Sequence, residues 1–164
     1  MMKELALAML LCCSTASHAA PEPDAFFRAV SVNNASGVRS MLADGMNPNQ
    51  ADTQRGDIPL VLALRDDADK VFKLLLDTPG IDIEARSANG NTALMMAAYK
   101  HKQDAVNALL AKGAKVNQSG WTALHYAASA GDLPIMKILL DRDAMVDARA
   151  PANITPLMFA AREG

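Results

Sequence analysis

The strongest constraint on this chain is that it repeats itself. Ala29-Val30, Ala63-Leu64, Ala97-Ala98, Ala127-Ala128 and Ala160-Ala161 follow one another at spacings of 34, 34, 30 and 33 residues. The flanking sequence recurs with them. "NTALMMAAYKHKQDAVNALLAKGAKVN" lines up with "WTALHYAASAGDLPIMKILLDRDAMVD", and both with "DIPLVLALRDDADKVFKLLLDTPGIDIE". A period of this length marks a supersecondary unit that cannot bury its apolar face alone, so neighbouring units must stack.

These residues resemble the ankyrin repeat, G-x-T-P-L-H-x-A-A-x-x-G-x-x-x-V-V-x-x-L-L-x-x-G-A-x-V-N, over essentially all of residues 24 to 164. The resemblance implies an all-α solenoid of paired antiparallel helices with projecting hairpin loops, used as a protein-binding scaffold. Units are expected at about 24–51, 52–86, 87–117 and 118–148, with a partial unit at 149–164.

The residue chemistry agrees. Thr92, Thr122 and Thr155 stand where a helix needs a cap, and Pro59 and Pro156 where the first helical residue needs no N–H. Asp24 takes the cap place in the first unit; Ile58 takes it in the second, with Asp57 beside it as a compensating group. Second helices carry apolar residues at helical spacing: Val71, Leu74, Leu75; Val106, Leu109, Leu110; Ile135, Ile138, Leu139. The family's left-handed glycine between the helices corresponds here to Asn33, Asp67, His101, Gly131 and Gly164, residue types that tolerate positive φ. Departures fall in connections: an added residue near Thr53, an insertion at Pro79, and a finger three residues short between Asn117 and Gly120. The chain stops halfway through the fifth unit, where "TPLMFAAREG" is apolar enough to want a partner helix.

The first residues stand outside the repeat. "MMKELALAMLLCCSTASHAA" carries Lys3, an apolar run from Leu5 to Cys13, and then small residues, with Ser17 and Ala19 placed for cleavage. The run is too short to span a bilayer, so residues 1–19 read as a signal peptide. Leu11 before Cys12 suits a lipoprotein signal poorly. Residues 20–164 then form the mature repeat domain without cysteine, disulfide or membrane span. The expected place is the periplasm of a bacterial envelope, with secretion as the alternative.

Composition narrows the function. The net charge is -2, with 16 basic and 18 acidic residues and no Lys/Arg cluster, which excludes a basic nucleic-acid footprint. No nucleophile elbow, phosphate loop or cation-binding Asp pattern occurs. His101 falls on a turn. His125 lies three residues after Thr122, where it can reach back to the cap as in T-P-L-H. The methionines Met95, Met96, Met136, Met145 and Met158 read as flexible core filling. The expectation is a monomeric, non-catalytic binder of a protein partner with neither cofactor nor metal. The alternatives are the binding module of a larger enzyme or toxin that continues beyond residue 164, and a secreted effector acting on a host protein.

Trp121 is the residue that the repeat does not explain. It precedes the cap Thr, a variable place occupied elsewhere by Asp57, Asn91 and Ile154. It either anchors a partner or covers the clipped finger. By the resemblance, Arg65, Asp66, Tyr99, Lys100, Ser129 and Ala130 lie on the same face, and Arg86, Asn89 and Asn91 on the fingers.

Overall fold

The computed structural model describes residues 22–163, so the expected signal segment and Gly164 lie outside the described residues. Nine helices occupy the described chain: α1 (Pro23–Ser31), α2 (Ala35–Ala43), α3 (Pro59–Arg65), α4 (Asp69–Leu76), α5 (Ala93–Tyr99), α6 (Gln103–Ala111), α7 (Ala123–Ser129), α8 (Leu133–Leu140) and α9 (Pro156–Glu163). Consecutive helices pair as α1–α2, α3–α4, α5–α6 and α7–α8. The odd-numbered helices stack into an inner layer, and the even-numbered ones lie outside them. This is an all-α solenoid, and α9 is an inner helix without an outer mate among the described residues.

Local chemistry sets the helix starts. Thr92 Oγ1 accepts from the Met95 N–H and Thr155 Oγ1 from the Met158 N–H, both at 3.4 Å. Pro59 and Pro156 open α3 and α9. The first unit differs from expectation. Glu22 holds the cap position, Pro23 is the first helical residue, and Asp24 lies within the first turn. A carboxylate there faces the positive end of the helix, which is a different role from capping. Ile58 caps α3 with no side-chain bond, and Asp57 does not compensate, because its carboxylate is bound by Arg65.

The turns within the units match their expected backbone. Asn33, Asp67, His101 and Gly131 have φ of 56°, 57°, 56° and 67°. Three of these residues also reach forward by one unit. Asn33 Oδ1 accepts from the N–H groups of Lys70 and Val71, both at 3.1 Å. Asp67 takes Lys100 at 2.9 Å and Lys102 at 3.1 Å. His101 Nδ1 lies 2.8 Å from Asp132 Oδ2. The other oxygen of Asp132 caps α8 by accepting from the Ile135 N–H.

The far edge is stitched in the same register. Asn49, Glu84 and Asn117 accept from the N–H groups of Asp82, Lys115 and Met145 at 2.8, 2.8 and 2.9 Å. The amides of Asn49 and Asn117 also donate to the carbonyls of Gly80 and Asp143. Gly45, Gly80, Gly113 and Asp143 end the outer helices at φ of 95°, 77°, 91° and 61°.

Between the layers the small residues admit close approach: Ala63, Ala97 and Ala127 are fully buried. Val71, Leu75, Val106, Leu109, Ile135 and Leu139 fill the space behind them, while Leu74 and Ile138 are half-buried at its margin. Met95 and Met96 belong to this core. Met145 and Met158 do not: they are 52% and 59% exposed, at the end where the stack stops.

Candidate functional site

Three of the four connecting fingers are closed by a main-chain hydrogen bond at their base. Asp52 donates to Asp57, Ser87 to Asn91 and Ala150 to Ile154, at 2.8, 3.0 and 2.9 Å. In the third unit the finger turns at Asn89-Gly90, with Gly90 alone left-handed at φ 82° and its N–H on the Ser87 carbonyl. No main-chain bond closes the clipped third finger, ahead of the fourth unit, among the described residues. A side chain does it instead. Gln118 Nε2 donates to the Trp121 carbonyl at 3.0 Å, and Gln118 Oε1 accepts from Arg86 at 2.6 Å.

The shortened finger sets Trp121 down on the inner layer. Its ring meets His125 at 5.3 Å, Phe159 at 6.0 Å and Tyr126 at 6.3 Å between centroids. Tyr99 joins edge-on to Tyr126 at 6.1 Å. Four of the chain's seven aromatic residues thus gather on α5, α7, α9 and one finger. They line, with His125 and Ser129, an open pocket of about 170 Å³. Tyr126 and Phe159 are each the fourth residue of their helix, so the repeat itself puts them side by side.

Below the rings the polar groups are satisfied. The Tyr126 hydroxyl donates to Asn91 Oδ1 at 2.6 Å. Burial pushes this phenol's pKa up, against a smaller opposing pull from its bond to Asn91, which keeps it a neutral donor. His125 is 1% exposed. Its Nδ1 accepts from the Thr122 N–H at 3.2 Å and faces the Thr122 hydroxyl at 2.9 Å; its Nε2–H donates to the Ile154 carbonyl at 3.1 Å. Burial lowers its pKa. Both ring nitrogens are committed to the backbone, so His125 ties one unit to the next and has no free atom for acid–base chemistry.

The other expected site residues lie apart from this cluster or under it. Arg65 is held between Asp57 at 2.8 Å and Asp66 at 3.2 Å. Lys100 is paired with Asp67. Asn91 is buried at 8% exposure and works as the seat for Tyr126, a role that reading it as a surface residue missed. Asn89 is exposed at the finger tip, where its Oδ1 accepts from the Asn91 N–H. Trp121, Tyr99 and Ser129 are the three that the structure brings together. Tyr126 and Phe159 complete the pocket and were not singled out in the sequence. A larger opening of about 390 Å³ lies on the outer layer between α4 and α6. Its Lys102 and Asp69 neutralise each other at 2.7 Å, which leaves it without a convergent polar constellation.

With this geometry established, comparison with known proteins supplies the class. The chain matches ankyrin repeats in three overlapping blocks, residues 26–119, 79–150 and 115–164, and it belongs to the ankyrin repeat family. It is 31% identical over 147 residues to transient receptor potential cation channel subfamily A member 1 of Homo sapiens, covering 83% of this chain and 13% of that protein. It is 32% identical over 129 residues to neurogenic locus notch homolog protein 1 of Xenopus tropicalis, covering 77% and 5%. With the nuclear factor NF-kappa-B p105 subunit of Gallus gallus it shares 33% identity over 143 residues, 83% and 14%. The chain therefore spans a small part of the length of these relatives. Repeats of this family are generally protein–protein interaction modules. No helix among the described residues is long and apolar enough to cross a membrane.

Proposed function

We propose that this chain is a non-catalytic scaffold, exported to the cell envelope, that binds a protein partner on the inner-layer face of its third to fifth units. The observation that carries the reading is the aromatic pocket. In an aromatic-poor chain, Trp121, Tyr99, Tyr126 and Phe159 converge on one exposed spot, and large rings at a pocketed surface are where binding energy concentrates. At about 170 Å³ the pocket is below the usual size for a small-molecule site of roughly 300–1,000 Å³, and suits a partner's side chain. Export rests on the signal-like residues 1–19 alone.

The test is capture from an envelope extract with the native protein and with Trp121→Ala. Specific retention by the native protein and its loss in the variant are expected. Equal retention by both would remove Trp121 from the site, and no specific retention at all would remove the reading. Cell fractionation with N-terminal sequencing tests export, which an intact Met1 in the cytosol would refute.

A second reading is the binding module of a longer enzyme or toxin. It is favoured by the small share, 5–14%, that the chain covers of the relatives above. Sequencing the gene past codon 164 separates the two: a further catalytic domain selects the module, an early stop the self-contained scaffold.

A further inference from the structure

We infer that the aromatic pocket takes an uncharged proline ring from an extended, acidic segment of the partner. This rests on the reading that the pocket is the partner site, and adds the class of ligand. The rings decide the shape of the guest. Tyr99 stands at 85° to Tyr126, and Trp121 at 60° to Tyr126 and 40° to Phe159. None of these three pairs is parallel, so they form no sandwich for a flat base or aromatic side chain to enter. A compact puckered ring meets faces and edges together. Segments rich in proline are already extended, so docking them on aromatic walls orders little chain.

The charges decide the sign of the guest's surroundings. A cation seated on these rings would compete with Arg162, whose guanidinium already lies 5.3 Å from the Phe159 centroid. No Asp or Glu lines the pocket. Two cations are tied to residues of its wall. Lys100 follows Tyr99 directly and shares its charge with Asp67, and Arg86 is linked through Gln118 to the carbonyl of Trp121. Asp132, the cap of α8, is occupied by His101 and the Ile135 N–H. A carboxylate on the Arg86 side of the anchoring ring therefore meets complementary charge, since Gly90 and Gln118, which hold Arg86, are neutral.

Trp121 is the chain's single tryptophan, so its fluorescence reports on the pocket in the intact protein. The probe is a ten-residue peptide of alternating Glu and Pro. The comparison probes are its Pro→Gly version, its Glu→Lys version, tetramethylammonium chloride, and a ten-nucleotide single-stranded oligothymidine. A saturable shift with the Glu/Pro peptide is expected, half-complete below about 1 mM. The glycine version should be at least about tenfold weaker. The lysine version should be about threefold weaker or more, with the gap closing as salt is added. Tyr99→Ala, at a half-exposed position, should weaken the peptide about fivefold by calorimetry at unchanged melting temperature. Equal binding of the glycine peptide overturns the proline anchor, and tighter binding of the lysine peptide overturns the acidic flank. A response to tetramethylammonium or the oligonucleotide in place of the peptide overturns the ligand class. Silence of the peptide while Trp121-dependent capture from extract persists sinks this inference alone. Loss of that capture as well sinks the reading beneath it.

Discussion

The Tyr126 hydroxyl donates a 2.6 Å hydrogen bond to Asn91 Oδ1, thirty-five residues away, so the base of one finger holds a ring in the following unit. Asn91 is buried, and removing its donor leaves the amide oxygen without that partner. Tyr126→Phe should cost about 1–2 kcal/mol of unfolding free energy in urea titrations. Asn91→Ala should destabilise comparably and also loosen the ring, which nuclear magnetic resonance of the Tyr126 side chain would read as broadening. A cost below about 0.3 kcal/mol for both would show that the bond does not position the ring.

His125 gives the stability a pH dependence of definite sign. Burial lowers its pKa in the folded chain, so below the ordinary histidine value the unfolded chain binds more protons. Its contribution is complete above about pH 6.5 and is lost as pH falls from there toward the lower folded value. Urea midpoints measured at pH 7.5 and 5.5 should therefore differ, with the acid side less stable. Replacement by Gln should shrink the His125 share of that difference, at a cost of about 1–3 kcal/mol at neutral pH from the broken contacts to Thr122 and Ile154. An unchanged pH response in the variant would assign the effect to other groups.

Asp143 ends α8 at φ 61°, where the three earlier outer helices use glycine. It also sets a carboxylate near the negative end of that helix. Asp143→Gly should stabilise by about 0.5–1 kcal/mol by relieving both. The carbonyl that Asn117 binds is retained, so the inter-unit stitch survives. A lower melting temperature in the variant would contradict this account.

Asn33 allows conformation and bonding to be separated. Asn33→Gly keeps a residue content with positive φ and deletes only the side chain that accepts from Lys70 and Val71. Since Ala68 offers α4 no side-chain cap, the variant should lose about 1 kcal/mol. Amide hydrogen exchange at residues 70 and 71 should accelerate more than exchange in α6. Uniform acceleration would mean that the bond is not local to α4.

The fifth unit exposes what its predecessors cover. Leu157 is 65% exposed, whereas Leu60, Leu94 and Leu124 at the same helix position are 1–2% exposed. Beside it, Leu124, Met136, Leu140, Val146, Pro156 and Ala160 complete an apolar notch. Appending a copy of residues 131–145 after Gly164 should raise stability by about 2–4 kcal/mol, judged from burial of one or two large apolar side chains. Leu157→Glu in the extended protein should cancel most of the gain. No gain would mean that the notch does not accept an outer helix.

Features fixed by local backbone demands were legible in the chain: the hydroxyl caps at Thr92 and Thr155, the prolines that open α3 and α9, and the left-handed column at Asn33, Asp67 and His101. Thr122 instead turns its hydroxyl to His125. Each depends on a few neighbouring residues and recurs from unit to unit. Contacts between units were less so. That Asp132 meets His101, or that Asn91 turns inward to Tyr126, depends on how adjacent units are offset, which spacing alone does not give. Phe159 had a readable signal, since it shares its helix position with Tyr126, but only a column-by-column reading of the units exposes it. Asp24 was misplaced because Pro23, one residue earlier, begins the helix.

The third finger is held shut by Gln118, where the others use their own backbone. Closure by backbone is indifferent to mutation at that place, whereas closure by one amide is inherited through a single codon. Drift at position 118 is therefore free to re-aim Trp121 without touching any residue of the rings or of the core. Among descendants of this sequence, the proposed recognition surface can change its selectivity while the scaffold stays as it is.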